Sequence, residues 1–185
     1  MNILVVAGHP DWPNSVANAT ILEELARAFP QAAIRKLCET APGGQFDIAA
    51  EQQALLAADL IVWQFPFWWF SMPWLLKKWQ DDVLLYGFAF GSASKLAGKR
   101  LLVSFTTGAP AAAYTGAEGS VGDIEKMVEP FATTARFCGL DWQGAMWLTS
   151  VSYSERATPE AVAQQQQAAR DYAAKLIARI RAIGG

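Results

Sequence analysis

The chain reads as a doubly wound α/β fold: five parallel strands in one sheet, helices on both faces. Two observations predict it. Short β-branched apolar runs alternate five times with segments of helical periodicity, and each parallel connection needs a crossover. The length of 185 residues suits one domain, spanning residues 1–185, that buries roughly two-thirds of its unfolded surface.

Ile3 to Ala7 has no polar residue and reads as a strand buried on both faces. Asn18 to Phe29 places Ile21, Leu22, Leu25 and Ala28 on one helical face. Ala32 to Leu37 is a weaker strand, interrupted by Arg35 and Lys36. Ala49 to Ala58 is a helix and Leu60 to Gln64 the third strand. Trp74 to Leu85 is a helix, with Pro73 at its start, where no N–H donor is needed.

Residues 86–99 carry Gly87, Gly91 and Gly98 and read as an excursion or hairpin. Arg100 to Thr106 is the fourth strand, Val121 to Cys138 a helix, and a last strand lies near Gly144 to Thr149. Thr158 and Pro159 mark the start of the final helix, an N-cap followed by proline. Val162, Ala169, Tyr172, Leu176, Ile180 and Ile183 hold its inner face.

Charge and composition narrow the function. A net charge of −2 gives nucleic acid or anionic lipid no general attraction. The hydrophobic fraction is 52% and the charged fraction 17%, with eight Trp and ten Phe. Either the core is unusually aromatic or a partner subunit covers an apolar face. Cys38 and Cys138 form no C-x-x-C pair and read as buried thiols of a reducing compartment, and the sequence calls for no metal. The stretch from Asp59 to Trp79 is broken by Gln64, Pro66, Ser71 and Pro73, so it makes no uninterrupted apolar span. The start has no basic region or cleavage signature, so a cytoplasmic location is expected.

In sheets of this class ligands sit beyond the carboxyl ends of the strands, near the switch in strand order. Three loops there are unlike ordinary connectors. The first, Gly8 to Asn18, has neither the G-x-G-x-x-G of a dinucleotide site nor the G-K-S/T of a P-loop. It offers His9, Ser15 and Asn18, together with the N–H groups of Val16, Ala17 and Asn18 at a helix start, a setting that suits a phosphate. The alternatives are a His9 that braces the turn and a Ser15 and Asn18 that cap the helix.

The second loop holds Pro66, Phe67, Trp68, Trp69, Phe70 and Ser71. It reads as a wall for a flat aromatic ring or as a hydrophobic plug at a dimer contact. The third loop starts Thr106, Thr107, Gly108 and Ala109; small residues let a ligand approach the backbone and the threonines offer hydroxyls. Together the three loops fit flavin mononucleotide (FMN) better than a dinucleotide.

These residues carry a likeness. Ala7, His9 and Pro10 with Ser15, Ala17 and Asn18; Phe46 to Gln52; Ala58 to Pro66; Trp69 to Asp81; Leu96 to Lys99; and Thr106 to Gly108 span most of the chain in order. In these the chain resembles the flavodoxin-like NAD(P)H:quinone oxidoreductases, especially the bacterial branch with general NAD(P)H oxidoreductases and the ancillary proteins of glutathione-gated potassium-efflux systems.

The resemblance implies FMN rather than FAD, with its phosphate on the first loop and its ring against the second and third. It implies NADPH or NADH as hydride donor, a quinone or other small aromatic acceptor, and a homodimer with the site at the subunit boundary. A membrane potassium-efflux transporter is the partner implied by the ancillary relatives. Tyr114 matches, by its spacing from Thr106, a tyrosine held to stabilise charge on the reduced flavin. The histidine that some relatives place six residues further on is Ser120 here. The loop also departs from them at Ala109 and Pro110, and Phe90 stands where relatives often have a tyrosine near the partner's pocket.

Overall fold

A computed structural model describes residues 1–92 and 94–185. Five strands form one parallel sheet: β1 (Ile3–Ala7), β2 (Ala33–Lys36), β3 (Leu60–Pro66), β4 (Arg100–Thr106) and β5 (Asp141–Leu148). Their order across the sheet is β2-β1-β3-β4-β5, every neighbouring pair parallel. The helices are α1 (Ala17–Ala28), α2 (Leu37–Thr40), α3 (Ile48–Ala57), α4 (Trp74–Val83), α5 (Ile124–Phe137) and α6 (Pro159–Gly184). The predicted doubly wound flavodoxin-like architecture is the observed one.

Strand alternation sorts the core into two layers. Ile3, Val5, Ala7, Leu60 and Val62 face α1 and α6, where Ile21, Leu25, Tyr172, Leu176 and Ile180 complete one cluster. Leu4, Val6, Ile61, Trp63 and Phe65 face the other way, against Leu75, Leu76 and Trp79 of α4 and Val128 and Phe131 of α5. This two-sided burial is why the central strands are continuous apolar runs. Gly8 continues β1 into the site: a Cβ there would meet Leu76 Cβ at 2.7 Å, so only glycine lets strand and helix come this close.

Several boundaries differ from the sequence expectation. β3 runs two residues past Gln64, because Phe65 and Pro66 still pair with Phe105 and Thr106. β5 starts at Asp141, three residues before Gly144, and Gly144 sits at φ +94 where the β4 register shifts. The bulge hides the strand's first half behind residues of low strand propensity. α5 starts at Ile124 because Gly122 is at φ +146 and Asp123 caps the helix, its Oδ1 accepting from Glu125 N at 3.0 Å. α2 is a single helical turn that the apolar periodicity does not announce.

Segment 86–99 is an excursion whose described residues form turns and one isolated bridge, Tyr86 with Phe90; residue 93 lies outside the described residues. Cys138 is buried, whereas Cys38 is only partly covered, a correction to the pair of buried thiols expected. Among the described residues, no helix is long and apolar enough to cross a membrane.

Candidate functional site

β1 and β3 lie side by side, yet their connections leave in opposite directions along the sheet, and the cavity opens above their carboxyl ends. Its volume is about 380 Å³, within the usual range for a small-molecule site. The three loops meet there through His9 and Asn18, Pro66 to Trp68, and Thr106 to Gly108, whereas Ser15, Val16, Ala17, Trp69, Phe70 and Ala109 lie outside the lining.

The floor is a hydrogen-bonded relay that joins two strands through α1. Gln64 Nε2 donates to Asn18 Oδ1 at 2.7 Å, and Asn18 Nδ2 donates to Thr106 Oγ1 at 2.9 Å. Asn18 and Thr106 are therefore locked, and the Thr106 hydroxyl keeps its own proton to donate. Gln64 Oε1 is buried without a partner among the described residues. Asn18 thus ties α1 to β3 and β4 through its side chain, a different task from the helix cap considered as an alternative.

Ser15 does the capping. Its Oγ accepts from Ala19 N at 3.2 Å, while Val16, the residue at the helix boundary, makes no side-chain cap. The N–H groups of Ala17 and Asn18 lie in the first turn and have no intrahelical acceptor, so they remain available to an anion.

His9 is buried, and its ring stands edge-on to Trp12 and Trp68 with centroids 6.0 and 5.5 Å away. Nδ1 accepts from Asp11 N at 3.1 Å, which leaves the proton of the neutral ring on Nε2. Burial pushes its pKa down to about 4, against a smaller opposing pull from Asp11. At neutral pH His9 is an uncharged hydrogen-bond donor.

The second loop divides in two. Phe67 is buried and stacks on Phe105 at 4.7 Å, which stacks in turn on Trp147. Trp68 lines the cavity. Trp69 and Phe70 are the middle of a turn closed by Ser71 N donating to Trp68 O at 3.1 Å. They sit at φ 47 and 62, left-handed values that suit Asn-Gly rather than two aromatics. Trp69 is 92% exposed and does not line the cavity.

In the third loop, Thr107 Oγ1 donates to Ala109 O at 2.9 Å, and Ala109 O also accepts from Ser150 N. Ala109 thereby braces this loop to the one after β5 and does not itself line the cavity. Tyr114 ends a short helical turn, Ala111–Tyr114, that carries its ring into the core cluster beside α5. It is 8% exposed and does not line the cavity of this chain. Ser120 is engaged within its own loop, its hydroxyl donating to Ala117 O at 2.7 Å.

Sequence reasoning missed the fourth side. The loop after β5 contributes Val151, Ser152, Tyr153 and Arg156, and Asp11 and Asn14 join from the first loop. The rule that selected the other loops applies equally to the carboxyl end of β5. Its polar stretch has no glycine and only one aromatic residue, Tyr153, to draw notice.

The comparisons with known proteins agree with this architecture. The family model described as a flavodoxin-like fold matches residues 1–176. General stress protein 14 of Bacillus subtilis (strain 168) is 39% identical over 155 residues, covering 83% of this chain and 88% of the relative. The glutathione-regulated potassium-efflux system ancillary protein KefF of Salmonella arizonae is 43% identical over 141 residues, 76% of this chain and 78% of that protein. Among solved structures, general stress protein 14 from Treponema denticola, in complex with FMN, superposes with a TM-score of 0.82 at 31% identity. That match covers 96% of this chain and 98% of the other. Sheet order, motif order and these matches converge: the chain belongs to the flavodoxin-like family that includes general stress protein 14 and the KefF ancillary proteins.

Proposed function

We propose that the protein is an FMN-dependent NAD(P)H:quinone oxidoreductase. The observation that carries this is the Gln64–Asn18–Thr106 relay under a cavity whose rim combines free helix N–H groups with an aromatic wall. The donor set fits a flavin nucleotide. The first turn of α1, Ser15 and His9 would hold the phosphate. Pro66 to Trp68 and Thr106 to Gly108 would hold the ring, through backbone groups and the Thr106 hydroxyl. The FMN bound by the Treponema relative supports the same choice.

When bound, the flavin supplies two-electron chemistry, accepting hydride from a reduced nicotinamide and passing it to a quinone. The chain supplies position and electrostatics. Phe67, fixed on its aromatic column, and Trp68 exclude water from one side of the ring site. The neutral His9 offers Nε2–H to the ligand without a competing proton equilibrium at pH 7. Nitroaromatic and azo compounds are further acceptors of the same class. The working assembly is a homodimer: Trp69, Trp74, Tyr86 and Phe137 are all more than half exposed, an aromatic excess that a second copy would cover.

A second reading has its own support. The 43% identity to KefF favours a chain that also docks on a glutathione-regulated potassium-efflux transporter and keeps its reductase site. Initial rates measured while NADPH or NADH is varied against benzoquinone test the leading proposal. Parallel double-reciprocal lines are expected, because donor and acceptor use one site in turn; intersecting lines or no turnover would overturn it.

A further inference from the structure

Arg156 lines the cavity, yet neither the three predicted loops nor the relay accounts for it. It follows the short turn Tyr153–Glu155, and two neutral acceptors fix its guanidinium. Nη1 donates to Asn14 O at 2.9 Å, and Nε donates to Gln165 Oε1 at 2.8 Å. Gln165 is 6% exposed on α6, and its Nε2 donates to Ser152 O at 2.7 Å. A buried amide inside a helix is thus devoted to aiming one arginine and holding the loop that carries it.

The cation itself is uncompensated. No carboxylate lies within 4 Å of Arg156 among the described ion pairs, and its guanidinium stands over the Tyr153 ring, 5.7 Å from the centroid. Partial burial draws its pKa down, as expected of a cation held without a counter-ion. Nη2 has no partner among the described hydrogen bonds, so one edge of the fork is free. His9 is neutral here, and the other ionisable group on the lining that carries charge is Asp11, tied to Asn14 Nδ2 at 2.8 Å. A phosphate monoester brings close to two negative charges at pH 7, and first-turn N–H groups answer only part of that.

We propose that Arg156, aimed by Gln165, is the counter-charge for the terminal phosphate of the bound flavin and makes the site select FMN over riboflavin. This rests on the flavin assignment above and adds the β5 loop and α6 to the phosphate site. Gln165 is a positioning residue; Arg156 touches the ligand.

The test is titration of flavin-stripped protein with FMN and, separately, riboflavin, followed by quenching of flavin fluorescence at low and high salt. Arg156→Gln is expected to weaken FMN roughly 10- to 100-fold, in line with a lost charge-assisted hydrogen bond. Riboflavin should stay within about twofold, and the salt dependence of FMN binding should flatten. Gln165→Leu should weaken FMN less, again sparing riboflavin, and Arg156→Lys should recover part of the loss. Unchanged FMN affinity, or equal losses for FMN and riboflavin, would overturn the proposal while leaving the cofactor assignment intact. Wild-type protein that binds neither flavin would overturn both. Should Arg156→Gln fail to fold, the FMN-to-riboflavin ratio of Arg156→Lys decides: a fall supports the proposal, no change contradicts it.

Discussion

The floor of the cavity and the aromatic turn that follows its wall are built on opposite principles. At the polar end, Gln64, Asn18 and Thr106 are each at most 5% exposed, and hydrogen bonds between α1 and two strands fix them. In the aromatic turn next to Trp68, Trp69 and Phe70 are exposed, left-handed and held by a single turn hydrogen bond. The polar end is finished within one chain. The aromatic turn stores backbone strain on an open surface, and such strain persists where function demands it. Under the proposed function, the flavin would sit over the first and the exchanging reactants would meet the second.

The sharpest way to break this contrast is Asn18→Leu, nearly the same size without the amide. It leaves Gln64 Nε2 and Thr106 Oγ1 without each other's bridge, at a cost of about 2–4 kcal/mol. Urea unfolding should show that loss, and FMN affinity should fall with it. A stable variant with full flavin affinity would mean that the relay neither supports the fold nor shapes the site.

The next largest effect is in pH. The folded pKa of His9, about 4, lies below its ordinary 6.5, so between those values the unfolded chain takes up the extra proton. The contribution is complete above pH 6.5 and is lost as pH falls through about 4, by about 3 kcal/mol at most. Protonation also turns Nδ1 from an acceptor into a donor and breaks its bond with Asp11 N. Chemical denaturation from pH 7 to 4 should show the slope, and His9→Gln should flatten it. An equal slope in both proteins would assign the acid sensitivity elsewhere.

The smallest effect carries the opposite sign. Replacing Trp69 with Asn and Phe70 with Gly gives the turn the residues its backbone prefers, a gain of roughly 1–2 kcal/mol. Thermal denaturation should rise while quinone turnover falls. Higher stability with undiminished turnover would show that the strained turn has no part in the reaction.

How far all this could be read in advance depended on the kind of signal each element carries. β1, β3 and β4 were legible because burial on both faces leaves unbroken apolar runs. The first half of β5 was not, since the bulge at Gly144 replaces alternation with Asp, Gln and Gly. His9, Asn18 and Thr106 could be found from the carboxyl-edge rule, although that rule says nothing of which side chains bond across strands. Arg156 was missed because the contact that fixes its side chain comes from α6, where Gln165 lies nine residues later inside a polar tract of four glutamines. Tyr114 matched by spacing, but a short helical turn decides where its ring goes, and that turn sends it into the core.

The most direct measurement of the central claim is a visible spectrum of the purified protein after incubation with FMN, followed anaerobically. The account predicts a yellow protein with about one flavin per chain, bleached by NADPH or NADH and restored by benzoquinone. A protein that stays colourless, or a bound flavin that neither nicotinamide reduces, would contradict it.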